Sequence, residues 1–363
     1  MTKYRNFSGG PGALAPCVLD QASQAILALP ETGVSILGMS HRSEWFRSVL
    51  DEAESNIKKL LNIPKGYHVL FMQGGSSLQF SMIPMNFLKG KNNKAAYLKT
   101  GYWSAKAPIE AALEGGIEII WDGEVRGYRD LPEANELDVL PEHAYVHYVS
   151  NETVEGLEFS YIPKTLNVPL ICDMSSDLLS QPIDISKFDL IYAHAQKNLG
   201  PAGVTLVIIK DELAQSGAAN LPTVLDYRTH IQAKSIYNTP PVFAIYTLML
   251  VTRWLLQDIG GLLCMSEINL IKAKKLYNTL DKNSHVYVPH AKVKNRSNMN
   301  CSFHLKDEKM YQQLFDDAKK INIIGLEGHR SLGGIRASLY NAVTEEDVDC
   351  LTSFLDQFAR KFD

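Results

Sequence analysis

The stretch LICDMSSDLLSQPIDISKFDLIYAHAQKNLGPAGVTLVIIK, residues 170–210, decides how the chain folds. It holds three β-rich apolar runs, at 170–174, 189–194 and 204–210. The first ends on Asp173, and just past the second, twenty-four residues after that acid (197 − 173), stands Lys197. Upstream, runs at 67–72, 94–100, 117–121 and 144–149 have the same character, with helix-length segments between them. Apolar strands alternating with helices predict an α/β architecture: a mostly parallel, seven-stranded sheet covered on both faces. Such sheets take ligands beyond the carboxyl ends of their strands. Polar residues just past each run are therefore the candidates for chemistry.

Outward from that stretch, the apolar segment 242–256 reads as a buried helix. It contains Thr247, Thr252 and Arg253, and at about 1.5 Å per residue it spans roughly 22 Å, short of a ~30 Å hydrocarbon core. Asn238 and Thr239 are its expected caps, with Pro240 and Pro241 in the first turn. Gly260-Gly261 breaks the chain. Beyond it come a helical pattern to about residue 280, strand candidates VYVPH and SNMNCSFHL, a helix near 308–320, the strand-like GGIRASLY and a last helix from about Thr344. The expected division is an N-terminal segment (1–15) packing with the small domain, a large domain (16–260) and a smaller α+β C-terminal domain (261–363). Among 363 residues, 36 Lys+Arg stand against 40 Asp+Glu, a balance that argues against nonspecific nucleic-acid binding. Five cysteines without a CxxC suggest neither a disulfide framework nor a zinc site, and no export signal or membrane span is evident. A cytoplasmic protein is expected.

Several groups of residues compete for a chemical role. Gln73-Gly74-Gly75-Ser76-Ser77 follows a strand and precedes a helix, which makes either an anion site or an ordinary capped turn. Asp173 and Lys197 belong at one edge of the sheet. There the lysine can form an imine with an aldehyde cofactor while the acid holds a pyridine nitrogen protonated. Taken alone, the pair fits a structural ion pair better. The paired motifs MSHRSEWF, with His41 and Arg42, and GHRSLGGIRASLYNA, with His329, Arg330 and Arg336, reverse that preference, because clustered guanidinium groups suit an anionic small substrate. His143 and His147 are excluded as a metal pair: on a strand they stand about 13 Å apart. Lys292, Lys294 and Arg296 read as a solvated run, and the cysteines as packing residues.

From end to end the chain resembles the phosphoserine aminotransferases, a fold-type I pyridoxal-phosphate family. NFSGGPGALAP, SILGMSHRS, VLFMQGGSSLQFSMIPMN, TGYWSAKA, HYVSNETVEG, AQKNLGPAG at its spacing from Asp173, YNTPPVFAIY, NRSNMN and GHRSLGGIRASLYNA carry the likeness. The resemblance implies that Lys197 holds pyridoxal 5'-phosphate covalently, that Asp173 pairs with the pyridinium nitrogen and that Trp103 stacks on the ring. It also implies that Thr153 lies near the ring hydroxyl and that Ser76, Ser77 and Gln196 hold the phosphate. Asn238 and Thr239 would reach that phosphate from the other subunit of a homodimer. Arg336 would take the α-carboxylate, and His41, Arg42, His329 and Arg330 the distal phosphate or the glutamate side chain. The implied reaction converts glutamate and 3-phosphohydroxypyruvate to 2-oxoglutarate and O-phosphoserine in serine biosynthesis; in bacteria the family often also handles the phosphohydroxythreonine pair of pyridoxine biosynthesis. Two departures stand out: Ser77 where some relatives have arginine, and Gly9-Gly10 where relatives have Ser-Gly or Ala-Gly. Rival readings are an alanine–glyoxylate aminotransferase, a cysteine desulfurase, and a phosphate-ligand binding protein without catalysis.

Overall fold

The computed structural model describes residues 4–362, so residues 1–3 of the expected N-terminal segment and residue 363 of the expected C-terminal domain lie outside it. Seven strands form the central sheet: β1 (Tyr67–Met72), β2 (Ala95–Lys99), β3 (Ile117–Asp122), β4 (Val146–Val149), β5 (Leu170–Asp173), β6 (Leu190–His194) and β7 (Thr205–Lys210). Their order is β1-β7-β6-β5-β4-β2-β3. Only β7 runs antiparallel, to both β1 and β6; the other neighbours pair in parallel. All seven expected strands are present, each within two residues of its predicted limits. Most β4–β7 residues are fully buried, which is why these segments read as continuous apolar runs rather than alternating ones.

Helices α1 (Pro16–Leu27), α2 (Glu44–Leu60) and α4 (Val242–Gln257) pack together beside one face of the sheet, and α3 (Gly75–Phe87) lies against the other. α4 is buried along most of its length, as its composition predicts. Its start differs from the expectation. The N-cap is Pro241, with no side-chain cap, because Asn238 and Thr239 are drawn away: Asn238 Nδ2 donates to Gln73 Oε1 (3.0 Å) and Gln73 Nε2 donates to the Thr239 carbonyl (2.8 Å). No single described helix is long and apolar enough to cross a membrane.

A second core forms among α5 (Leu262–Lys282), α6 (Tyr311–Lys320), α7 (Glu345–Ala359) and the antiparallel sheet β8 (Tyr287–Pro289), β9 (Asn300–Leu305), β10 (Ile335–Ser338). Thr344 caps α7 in a reciprocal box with Asp347. The segment from Arg5 to Gly12 ties this unit to the large sheet. Arg5-Asn6 pair in parallel with Ile323-Ile324, and Phe7 lies in the second core. The Gly9 carbonyl accepts from the Tyr340 hydroxyl (2.9 Å), and the Gly12 N–H donates to the Gln196 carbonyl (2.8 Å).

Some expectations need correction. Lys292 and Lys294 are exposed, as a solvated run requires, but each also pairs with an acid, Asp130 and Glu133, while Arg296 is largely covered and pairs with Asp281. Of the cysteines, Cys172 and Cys301 are buried, but Cys264 is exposed. His143 precedes β4 in a turn, near Glu118, while His147 within β4 meets the Tyr192 hydroxyl at 2.8 Å.

Candidate active site

Asp173 ends β5 and Lys197 lies three residues past β6, its parallel neighbour. A tight turn presents the lysine: the Ala195 N–H donates to the Val204 carbonyl (2.9 Å), and the N–H of Gly200 returns to the Ala195 carbonyl (2.8 Å). Both side chains are buried. Burial pushes the Asp173 carboxyl up from its ordinary value, against a bond from the Ser175 N–H (2.8 Å) and the field of Lys197. Burial also pulls the Lys197 amine down to about 8, with Asp173 opposing and Arg336 assisting. The amine donates to Thr153 Oγ1 at 2.5 Å.

A cavity of about 270 Å³ opens between these two groups. Ser76, Ser77, Trp103, Thr153, Asp173, Gln196 and Lys197, seven of the expected cofactor residues, line it. Ser76 and Ser77 stand in the first turn of α3, whose N–H groups have no carbonyl one turn back. That helix has no side-chain cap; Gly74 (φ 92°) and Gly75 (φ 66°) turn the chain into it. A Cβ on Gly74 would lie 2.5 Å from Leu78 Cδ2, so both backbone and packing require glycine. Ser76 Oγ meets Ser175 Oγ at 2.7 Å.

Asn238 and Thr239 are exposed and do not line this cavity of their own chain. His41 and Arg42 precede α2; Arg42 is exposed, and among the described residues no hydrogen bond, ion pair or ring contact joins either to the other expected substrate residues. His329 lies beside Trp103, and Arg330 and Arg336 are close enough to act on its imidazole. The His329 ring lies 6.4 Å from the indole. Arg336, on β10, is half-buried, with Nε buried and unpartnered. A Cβ on Gly9 would come within 2.2 Å of Arg336 Nη2; here the departure at Gly9 is the space the guanidinium fills.

Several site residues escaped the sequence reading. Ser175 and His194 line the cavity, and His194 Nδ1 is buried without a partner. Burial, helped by Lys197, pulls the His194 imidazole down to about 3, so it is neutral. Glu152 accepts from Thr100 Oγ1 and from the N–H groups of Trp103 and Ser104, and Glu155 Oε1 accepts from the Tyr102 N–H at 2.9 Å. Burial and the adjacent Glu152 push the Glu155 carboxyl well above the carboxylate range, and its Oε2 has no partner. SNETVEG offers one signal, two acids three residues apart in a segment reading as strand and turn; the turn 100–104 folds over both.

These residues fit pyridoxal phosphate. An amine with a depressed pKa can condense with its aldehyde, and an anion can sit at the open helix N-terminus. The buried Asp173 carboxyl has no ion pair at contact distance among the described residues, a place a protonated ring nitrogen would fill, and His194, whose Nδ1 is unpartnered, lines the same cavity. The sequence profile of the aminotransferase class-V family matches residues 5–351, which makes the chain a pyridoxal-phosphate-dependent aminotransferase. The phosphoserine aminotransferase of Herpetosiphon aurantiacus is 45% identical over 361 residues, 99% of each chain. The solved phosphoserine aminotransferase of Bacillus circulans subsp. alkalophilus superimposes with a TM-score of 0.96 at 43% identity, covering 99% of each chain. The pyridoxal-phosphate-bound enzyme of Trichomonas vaginalis gives 0.90 at 34% identity, covering 97% of this chain and 99% of that one. Within the class-V aminotransferases, this chain belongs to the phosphoserine aminotransferase family.

Proposed function

We propose that the chain transfers the amino group of L-glutamate reversibly to 3-phosphohydroxypyruvate, giving 2-oxoglutarate and O-phospho-L-serine in L-serine biosynthesis. The observation that carries this reading is the buried Lys197–Asp173 pair at a cavity beside three cationic-type side chains, His329, Arg330 and Arg336. Bound pyridoxal phosphate supplies an aldehyde that condenses with amines and a ring that accepts the electron pair of the neighbouring carbon. Lys197 provides the anchoring amine and, once displaced, takes the proton from the substrate α-carbon and returns it. Its depressed pKa serves that role, since only the neutral amine is a base. Asp173 would hold a proton on the ring nitrogen, Trp103 would pack against the ring and Thr153 would hydrogen-bond near its hydroxyl. Ser76, Ser77 and Gln196 hold the cofactor phosphate with the first-turn N–H groups of α3.

Arg336 binds the α-carboxylate of both substrates, an assignment supported by its unpartnered Nε. His329 and Arg330, with His41 and Arg42, take the distal phosphate or the glutamate side-chain carboxylate. The functional unit is a homodimer: a second copy brings Asn238 and Thr239 to the phosphate, and His41 and Arg42 to the substrate. The chain divides at 15 and 260: Phe7 and most buried residues past 272 pack in the second core, although Leu262, Met265 and Ala291 pack on the large-sheet side; it works in the cytoplasm, where five unpaired thiols persist.

A coupled assay with glutamate and 3-phosphohydroxypyruvate tests the reading; turnover of glyoxylate in preference to the phosphorylated keto acid overturns it. Lys197→Ala abolishes turnover while the protein keeps its native circular dichroism. Near-normal turnover in that variant refutes the role of the lysine.

A further inference from the structure

Beside Trp103, on the turn that carries it, stand Tyr102 and Lys106. Lys106 Nζ lies 4.5 Å from the centre of the Tyr102 ring and 5.2 Å from that of Trp103, so two aromatic faces hold the ammonium. The Tyr102 ring lies 4.5 Å from the His329 ring. Lys106 and, more weakly, Arg330 hold the Tyr102 phenol below its ordinary range. The group Tyr102, Lys106, His329 and Arg330 is therefore continuous.

No carboxylate among the described residues forms an ion pair with Lys106, although one is close in sequence and two more contact its turn. Glu110, four residues on, accepts instead from Ser81 Oγ at 3.0 Å. Glu152 and Glu155 accept backbone N–H groups of the turn itself. The contrast with Lys99, which pairs with both Asp122 and Glu124, shows that lysines of this region find acids where acids are offered. Lys106 is a positioned ammonium with no anion.

We propose that Lys106 is a specificity-determining residue of this aminotransferase, its ammonium binding the distal phosphate of the substrate alongside His329 and Arg330. This rests on the substrate reading given above. A phosphate monoester carries about −1.5 to −2 charges at neutral pH, whereas the side-chain carboxylate of glutamate carries one. Coulomb energy scales with the product of charges, so the ammonium favours the phosphorylated partner over glutamate in a pocket that must accept both. The aromatic faces fix its position without neutralising it.

The test compares wild-type, Lys106→Met and Lys106→Arg holoenzymes in both half-reactions. For Lys106→Met, KM for 3-phosphohydroxypyruvate and for O-phosphoserine rises about tenfold, while KM for glutamate rises less than about threefold and kcat stays within about twofold. Lys106→Arg restores most of the loss, and the visible absorption of the bound cofactor is the same in all three. Equal increases in KM for glutamate and the phosphorylated substrates, or a shifted cofactor spectrum in Lys106→Met, reduce Lys106 to a prop for Trp103 and overturn the proposal. Wild-type enzyme that fails to turn over 3-phosphohydroxypyruvate overturns instead the substrate reading on which it rests.

Discussion

Taking Lys197 and Asp173 out of water disfavours the charged form of each, so burial lowers the amine and raises the acid. For the amine the sign is simple: below about 8 it is mostly protonated and unreactive, and above that it is mostly neutral. Uptake of pyridoxal phosphate by the apoprotein should therefore accelerate as pH rises through about 8 and then level off, which stopped-flow absorbance will follow. A rate still climbing near the ordinary lysine value contradicts the depressed pKa. Arg336→Ala should lower kcat/KM for both amino donor and keto acceptor by roughly 10²–10³, the scale of a lost charge-assisted pair; damage to one half-reaction alone refutes the shared-carboxylate role. Burial and the adjacent Glu152 push the Glu155 carboxyl toward its neutral form. Glu155→Gln should thus keep kcat within about threefold, whereas Glu155→Ala, which leaves the Tyr102 N–H without its acceptor, should weaken the enzyme and lower its melting temperature. Asp173 and Lys197 were legible in the sequence because each interrupts or follows an apolar strand, where a charge must have a purpose. Glu152 and Glu155 were less so, because the turn 100–104, far away in sequence, supplies their partners; Ser175 and His194 stand at strand ends as Asp173 does, but an uncharged hydroxyl or imidazole there carries no comparable desolvation cost.

Among the elements, α3 shows most directly how a helix end becomes a binding surface. It begins on two glycines at positive φ with no side-chain cap, leaving its first N–H groups to a ligand. Gly74→Ala should cost roughly 1–3 kcal/mol of stability through backbone strain and the contact with Leu78, and should loosen the cofactor. Denaturant unfolding with and without pyridoxal phosphate measures both; an unchanged midpoint refutes the strain argument. The strands were predictable within two residues, since long buried apolar runs leave little choice. The cap of α7 was equally readable, from Thr344 followed by acids. The start of α4 was not: Asn238 and Thr239 look like caps locally, yet Gln73, far away in sequence, engages them. Local preference yielded there to a tertiary contact.

Across the whole molecule, four expected site residues, His41, Arg42, Asn238 and Thr239, neither line the cavity of their own chain nor join the group around His329. If a twofold-related copy delivers them, inactive partners must rescue one another. Mixing Lys197→Ala with Arg42→Ala under exchanging conditions should restore activity toward about a quarter of wild type, since half the dimers are hybrid and each hybrid has one intact centre. No recovery, with exchange verified by mass, would sink the shared-site arrangement. The segment from Arg5 to Gly12 bears on the same geometry. It is hydrogen-bonded at one end beside β10, which carries Arg336, and at the other to the carbonyl of Gln196, next to the lysine. The gap between the charge that grips a carboxylate and the amine that moves a proton is thus spanned by a short tie-rod of backbone. Cutting that rod leaves both cores standing, but the two halves of the chemistry lose their common ruler.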